Sequence, residues 1–163
     1  MASNPNQPEV SNLIMEFSMF TYPAKITKDG DFFLVSFRDF YGNEPVTQGQ
    51  TYEEALSMAS DWLLSEATIA LDDKEKLPKA SPAKKGEVLI RMPLSAQIKL
   101  RLLYEMIDQS ISGSELARRM NIKRPSVQNI IKADHATKID TLQRAFNALG
   151  KELVVELRST TSA

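Results

Sequence analysis

The chain has 163 residues, of which 42% are hydrophobic and 25% are charged, and its formal net charge is −1. That length allows one medium domain or two small ones, each with an apolar core. The absence of cysteine excludes disulfide frameworks and cysteine-ligated metals, and a single histidine, His135, argues against a zinc site. Because no apolar run reaches membrane-spanning length and the N-terminal residues lack a secretory pattern, a cytoplasmic protein is expected.

Charge is distributed unevenly along the chain. Residues 1–94 contain 9 Lys or Arg and 14 Asp or Glu, a net charge of −5. Residues 95–163 contain 11 Lys or Arg and 7 Asp or Glu, a net charge of +4. The basic half suits a polyanion such as DNA, and the acidic half suits a basic protein. Two modules with different partners are therefore expected.

The first half of the chain has the periodicity of several strands and one long helix. Residues 1–16 are rich in Asn, Pro, Gln and Ser and are predicted to be a disordered tail. An Asp-Gly pair at 29–30 predicts a hairpin turn, and Pro23 in the strand before it suits a sheet edge. Thr51 and Glu54 have the spacing of a capping box and open the helix. The predicted strands are 17–26, 32–37, 46–48 and 88–92, and the predicted helix is 52–71.

These elements predict a β-β-β-α-β module of the α+β class, in which one helix covers a small sheet. The single tryptophan, Trp62, lies on the apolar stripe of the helix and is expected to anchor it on the sheet. A charged stretch with two prolines, 72–86, predicts a loop before the last strand.

The second half of the chain predicts an all-α domain of four helices. Ser95 is expected to cap the first helix, which runs to about residue 111. Ser112 and Glu115 form a second capping box, in which Glu115 reaches back to the start of the helix. Asn121 tolerates the left-handed conformation of a sharp turn, and Pro125 presets the start of the next helix. A last helix begins near 137–140 and ends at Gly150.

The spacing of residues over 112–131 resembles the helix-turn-helix of the Cro and phage-repressor class, which places its second helix in the major groove. An ordinary helical hairpin is the alternative, but the outward face of the second helix is polar and basic. The resemblance directs four side chains to base edges: Arg124, Ser126, Gln128 and Asn129. It directs four others to phosphates: Lys123, Lys132, Thr137 and Lys138.

The end of the chain alternates in the manner of a strand, with Leu153, Val155 and Leu157 on one face. A lone strand needs a partner, and pairing with the same strand of a second copy would form a dimer. Residues 159–163 are predicted to be a frayed tail.

A family resemblance is carried by segment 46–55, where Thr-Gln-Gly precedes Thr-x-x-Glu-Ala. This string resembles the HicB family of antitoxins, and segments 135–140 and 148–153 resemble HicB proteins that carry a C-terminal helix-turn-helix. The resemblance covers about residues 19–158. It departs at 38–42, where family members often have Pro-Asp and a second proline.

The resemblance implies a degraded RNase H-like domain, residues 17–93, that binds and silences a small basic HicA toxin, which is an mRNA-cleaving RNase. It also implies a DNA-binding and dimerisation domain, residues 94–158, that represses the shared promoter. Toxin contacts are expected on exposed acidic and aromatic residues of the front module: Asp31, Asp39, Phe40, Tyr41 and Glu44.

Two other functions are weighed against this interpretation. A nuclease of RNase H type would need clustered carboxylates for Mg²⁺, but Asp29 is explained by its turn and no partner group is evident for His135. No enzyme activity, metal or cofactor is therefore expected. A ligand-sensing transcriptional regulator would need an apolar cavity, for which the candidate lining residues are Phe33, Phe37 and Trp62.

Overall fold

A computed structural model describes residues 19–157 and Ser159. The predicted tail 1–16 and all of the predicted tail 159–163 except Ser159 lie outside the described residues. The described part is a mixed α/β chain with four strands and six helices. Their order is β1 (Thr21–Asp29), β2 (Phe32–Ser36), α1 (Arg38–Tyr41), β3 (Pro45–Gly49), α2 (Tyr52–Asp73), β4 (Glu87–Arg91), α3 (Leu94–Asp108), α4 (Gly113–Met120), α5 (Arg124–Ile131) and α6 (Ile139–Ala148). The four strands and five helices predicted before Gly150 are present, although β1 begins at Thr21 and extends to Asp29 instead of ending at residue 26. The short helix α1 is an element that the sequence pattern did not predict.

The four strands form one antiparallel sheet in the order β3-β2-β1-β4. β1 is therefore a central strand, and the prediction that Pro23 lies at a sheet edge is wrong. β1 accommodates the proline because different parts of the strand pair with different neighbours. Residues 25–29 pair with β2, whereas residues 21–25 pair with β4. Pro23 lies beyond the ladder with β2, so its missing N–H interrupts no bond on that side.

Helix α2 lies across one face of the sheet on a stripe of small side chains. Its N-terminus has the predicted cap, because the Thr51 hydroxyl accepts from the Glu54 amide at 3.1 Å. The Glu54 carboxylate accepts in turn from the Gln50 amide at 2.7 Å. Trp62 stacks on Phe37 with ring centroids 5.0 Å apart, which confirms its role as an anchor of helix on sheet. The buried residues of α2 are Ala55, Ala59, Leu63, Ala67, Ala70 and Leu71.

Helix α3 contributes to two hydrophobic cores. Ala96, Leu100 and Leu103 lie in the core between the sheet and α2. Leu102 and Met106, on another side of the helix, lie in the core formed with α4, α5 and α6. The two halves of the protein therefore share one helix and its packing.

The bounds of α3 differ from the predicted ones. The helix begins at Leu94 with Pro93 at the capping position, so the expectation that Ser95 caps it is wrong. It ends at Asp108 rather than near residue 111, and the chain then passes through Ser110 at φ 56°. A non-glycine residue with positive φ is compatible with a turn but not with a continuing helix.

The C-terminal segment 151–157, predicted to be a strand, has no regular secondary structure and pairs with no strand of the described sheet, because alternating apolar residues form a strand only where a partner strand is present. Gly150 ends the last helix with φ 72°, as predicted. Leu153 is partly buried against the second core, whereas Val155 and Leu157 are 74% and 93% exposed. The pairing of this segment with a second copy remains a prediction.

Candidate functional site

Helices α4 and α5 are joined by a three-residue turn with a specific backbone geometry. The Ser112 hydroxyl accepts from the Glu115 amide at 3.1 Å, which confirms the predicted cap. Asn121 adopts the left-handed conformation with φ 54° and ψ 47°, also as predicted. The Ile122 amide then donates to the Ala117 carbonyl at 3.0 Å, which closes the end of α4. Local chemistry thus fixes the direction in which the chain enters α5.

The other half of the second capping box differs from expectation. The Glu115 carboxylate does not reach back along the helix but accepts from the guanidinium of Arg118 at 2.7 Å and of Arg119 at 2.8 Å. These bonds lower the pKa of the Glu115 carboxyl to about 2. The carboxylate therefore stays charged at neutral pH and holds two arginine side chains on the outer surface of α4.

Helix α5 presents a polar face opposite its buried residues. Val127 and Ile130 are buried in the second core. Lys123 occupies the capping position without a side-chain bond, and Pro125 lies in the first turn. All four residues predicted to reach base edges are exposed on this helix: Arg124, Ser126, Gln128 and Asn129. Arg124 and Gln128, four residues apart, are neighbours on one side of the helix, and Ser126 and Asn129, three residues apart, are neighbours on another.

The residues predicted to meet phosphates lie just before and just after α5 in the chain. Lys123, Lys132 and Lys138 are exposed, and Thr137 is partly buried. The Thr137 hydroxyl donates to the His135 carbonyl at 3.4 Å and lies 3.4 Å from the His135 ring nitrogen Nδ1. The segment after α5 therefore contains a local turn around His135, with Lys132 before it and Lys138 after it.

Arg38 organises a second polar cluster at the end of the sheet, which sequence analysis missed. Its Nε donates to Glu87 at 2.7 Å, and its two terminal nitrogens donate to the Ser81 hydroxyl and the Pro82 carbonyl, each at 2.6 Å. Asp39 accepts from the Ser81 amide at 2.9 Å. Pairing with Arg38 lowers the pKa of the Glu87 carboxyl. The cluster holds the loop before β4 against α1.

This cluster changes the interpretation of the predicted toxin contacts. The Asp39 side chain is only 8% exposed and is committed to the cluster, so the expectation that it is exposed is wrong. Phe40 is also not exposed, because its ring packs against Tyr22 at 4.8 Å and Trp62 at 5.2 Å. The other three candidates are exposed, Tyr41 at the end of α1, Glu44 just before β3, and Asp31 in the turn at the opposite end of β2.

The aromatic residues considered for a ligand cavity pack against other rings. Phe37 is fully buried and stacks on Trp62, and Phe33 contacts Tyr52 edge to face at 6.0 Å. Within the described part of the chain, no group of three or more His, Asp or Glu side chains is placed to hold a metal ion. None of the helices among the described residues has the length and apolar content needed to cross a bilayer.

Comparison with known proteins places these features in a family. Residues 21–101 match the family of HicB-like antitoxins of bacterial toxin–antitoxin systems. The chain is 39% identical over 132 residues to antitoxin HicB 2 of Photorhabdus laumondii subsp. laumondii, which spans 81% of this chain and 92% of the relative. It is 38% identical over 134 residues to antitoxin HicB of Escherichia coli K12, which spans 81% of this chain and 95% of the relative. The chain therefore belongs to the HicB family of antitoxins.

Proposed function

We propose that this antitoxin neutralises a small basic HicA-type toxin through its front half and represses its own operon, in the cytoplasm, through α4 and α5. The observation that carries the DNA-binding part is the exposed polar face of α5, which follows a capped helix and a left-handed turn. Those are the features of a helix-turn-helix whose second helix enters the major groove. The front half acts, on this proposal, as a degraded RNase H-like module without catalysis.

The charge of the front half supports a basic protein as its partner. Helix α2 carries six acidic side chains and no basic one over its 22 residues. Two of the three exposed candidate contacts, Asp31 and Glu44, are also acidic, and Tyr41 adds an exposed aromatic ring. Opposite charges on two surfaces accelerate encounter and suppress wrong partners. We propose these three residues as toxin contacts.

The exposed apolar end of the chain supports a dimer. Val154, Val155 and Leu157 are each at least 74% exposed, and Leu94 and Ile139 beside them are exposed at 69% and 49%. Apolar side chains grouped in this way favour burial against another surface. We propose that the segment 151–157 pairs with a second copy, so that two α5 helices meet two operator half-sites.

The toxin-binding proposal is tested by co-expression with the product of the adjacent short gene. The full-length chain is expected to co-purify with that product and to restore growth when the product is induced. Glu44→Lys is expected to weaken the complex by roughly two- to fivefold, as for a charge at an interface rim. Asp140→Lys makes the same charge change at an exposed residue outside the front half and outside the segment 151–157, and is the matched control. Failure of the unaltered chain to capture the product would remove the antitoxin assignment.

The DNA-binding proposal predicts a specific loss in Asn129→Ala. An Asn side chain pairs with two edge atoms of adenine, and losing such a contact costs about 1–3 kcal/mol of discrimination. Operator affinity is therefore expected to fall while affinity for scrambled DNA of equal length stays nearly constant. Asn147→Ala, an exposed asparagine on α6, is the matched control. Equal losses on operator and scrambled DNA would show that Asn129 reads no base.

A further inference from the structure

Lys99 is a buried lysine that ties α3 to the end of α5. The residue is 2% exposed. Its ammonium group donates to the backbone carbonyls of Lys132 and His135, which lie at and just after the end of α5. Lys132 directly follows the last residue of α5 and His135 lies in the loop after it, so the ammonium group holds the segment 132–135 against α3. A cation is also favourable near a helix C-terminus, where the backbone dipoles leave partial negative charge.

The cost of burial shows that this lysine is not an ordinary packing residue. Removing an ammonium group from water is costly unless hydrogen bonds replace the lost hydration. Burial lowers the pKa of Lys99, and the nearby Asp134 carboxylate opposes that effect. A methionine would fill a similar space without this cost. The lysine is therefore best explained by the two carbonyls that it binds.

Its position places it where the two halves of the protein meet. Lys99 lies on α3, next to Leu100 of the first core and close to Leu102 of the second. Ile131, the last residue of α5, packs against both cores, and Ala133 packs against the first. The end of α5 is therefore attached to α3 by apolar contacts and by the Lys99 ammonium group.

We propose that Lys99 is a positioning residue for DNA recognition. By holding the Lys132 and His135 carbonyls, it fixes the end of α5 and the following loop on α3. With its end fixed in this way, α5 is held at one angle to the groove, so that its exposed side chains face the bases. This proposal rests on the proposed DNA-binding function, but it makes α3, not only α4 and the turn, a determinant of the angle of α5.

The test compares Lys99→Met with the unaltered full-length chain in three measurements. Operator affinity is expected to fall about tenfold or more, because the base contacts of α5 are then misdirected. Affinity for scrambled DNA is expected to change no more than in Lys85→Met, which removes an exposed lysine from the loop before β4. Hydrogen exchange of the amides over 133–138 is expected to accelerate, while toxin capture is unchanged.

Lys99→Arg is the second variant, because arginine keeps a buried charge and hydrogen-bond donors. Its operator affinity is expected to lie between that of the unaltered chain and that of Lys99→Met. Equal loss on operator and scrambled DNA in both variants would reveal a merely structural role and overturn the proposal. Operator affinity of Lys99→Met equal to that of Lys85→Met would also overturn it. If the unaltered chain itself shows no preference for operator, the proposed function fails and this inference with it. If Lys99→Met does not fold, the result with Lys99→Arg decides between these outcomes.

Discussion

A chain that ends at Met92 is expected to lose its folded front half and its capture of the toxin. The reason is that α3 completes the core between sheet and α2. Leu100 and Leu103 are buried there, and Tyr104 packs on Phe20 with ring centroids 5.6 Å apart. The Tyr104 hydroxyl also accepts from the Leu77 amide at 2.8 Å. Deleting one buried leucine side chain costs about 2–5 kcal/mol, so losing two consumes much of a stability of about 5–15 kcal/mol.

A chain that ends at Ile111 is the control, because it keeps all of α3 without the helices that follow. Without the later helices, this shorter chain exposes Leu102 and Met106, which are otherwise buried in the second core. Both residues are therefore replaced by glutamine in the control, so that no apolar surface is left exposed there. Thermal unfolding followed by circular dichroism and co-purification with the toxin are the measurements. The control is expected to unfold cooperatively and to bind the toxin. A cooperative transition of the shorter chain at the same temperature would show that α3 is dispensable to the front half.

The domain boundary illustrates what sequence alone does not reveal about α3. The change of charge near residue 94 and Pro93 predict a boundary there, and a helix does begin at Leu94. The apolar pattern of that helix does not say which neighbour each of its faces meets. The family match, which extends to residue 101, includes the first two turns of α3. That extent agrees with a helix whose packing belongs to both halves.

Predictions from local chemistry are confirmed at the helix ends. The caps at Thr51 and Ser112, the left-handed Asn121 and the helix end at Gly150 each depend on residues within about five positions of one another. Because these signals depend only on residues close together in the chain, the sequence is sufficient to predict the helix ends. The failure at Ser95 arises because a serine one position inside a helix looks the same in sequence as one at its cap.

Predictions fail where a residue's role depends on a distant part of the chain. Arg38 meets Glu87 across 49 positions, and Lys99 meets the carbonyl of His135 across 36. Neither pairing leaves a periodic pattern. The assignment of Asp39 to an exposed surface fails for the same reason, since its partner Ser81 lies in a loop whose path is set by Arg38. The sequence signal that could have revealed this cluster is Arg38 itself, a basic residue that comes directly after an apolar stretch.

Gly49→Ala is expected to destabilise the protein by about 1–3 kcal/mol, the usual cost of overpacking, or more because backbone is involved. A Cβ at Gly49 would lie 2.4 Å from the Ala55 amide nitrogen and 2.8 Å from the Glu54 carbonyl carbon. No side-chain rotation relieves contacts with main-chain atoms, so α2 would have to lift from β3. That movement would disturb the capping bonds of Thr51 and Gln50 to Glu54.

Gly113→Ala is the matched control for this substitution. Its added Cβ would meet only the Val127 side chain at 3.8 Å, an ordinary contact, and alanine is the better helix former. Thermal unfolding is expected to show a melting temperature for Gly49→Ala that is roughly 2–12 °C below that of the unaltered chain. The conversion is about 2–4 °C per kcal/mol for a chain of this size. Gly113→Ala is expected to match or exceed the unaltered chain. Equal melting temperatures for all three would contradict the close approach of α2 to β3. A lowered melting temperature for Gly49→Ala would explain why the Thr-Gln-Gly string ends in glycine. Only a residue without a side chain leaves enough space for α2 at this position.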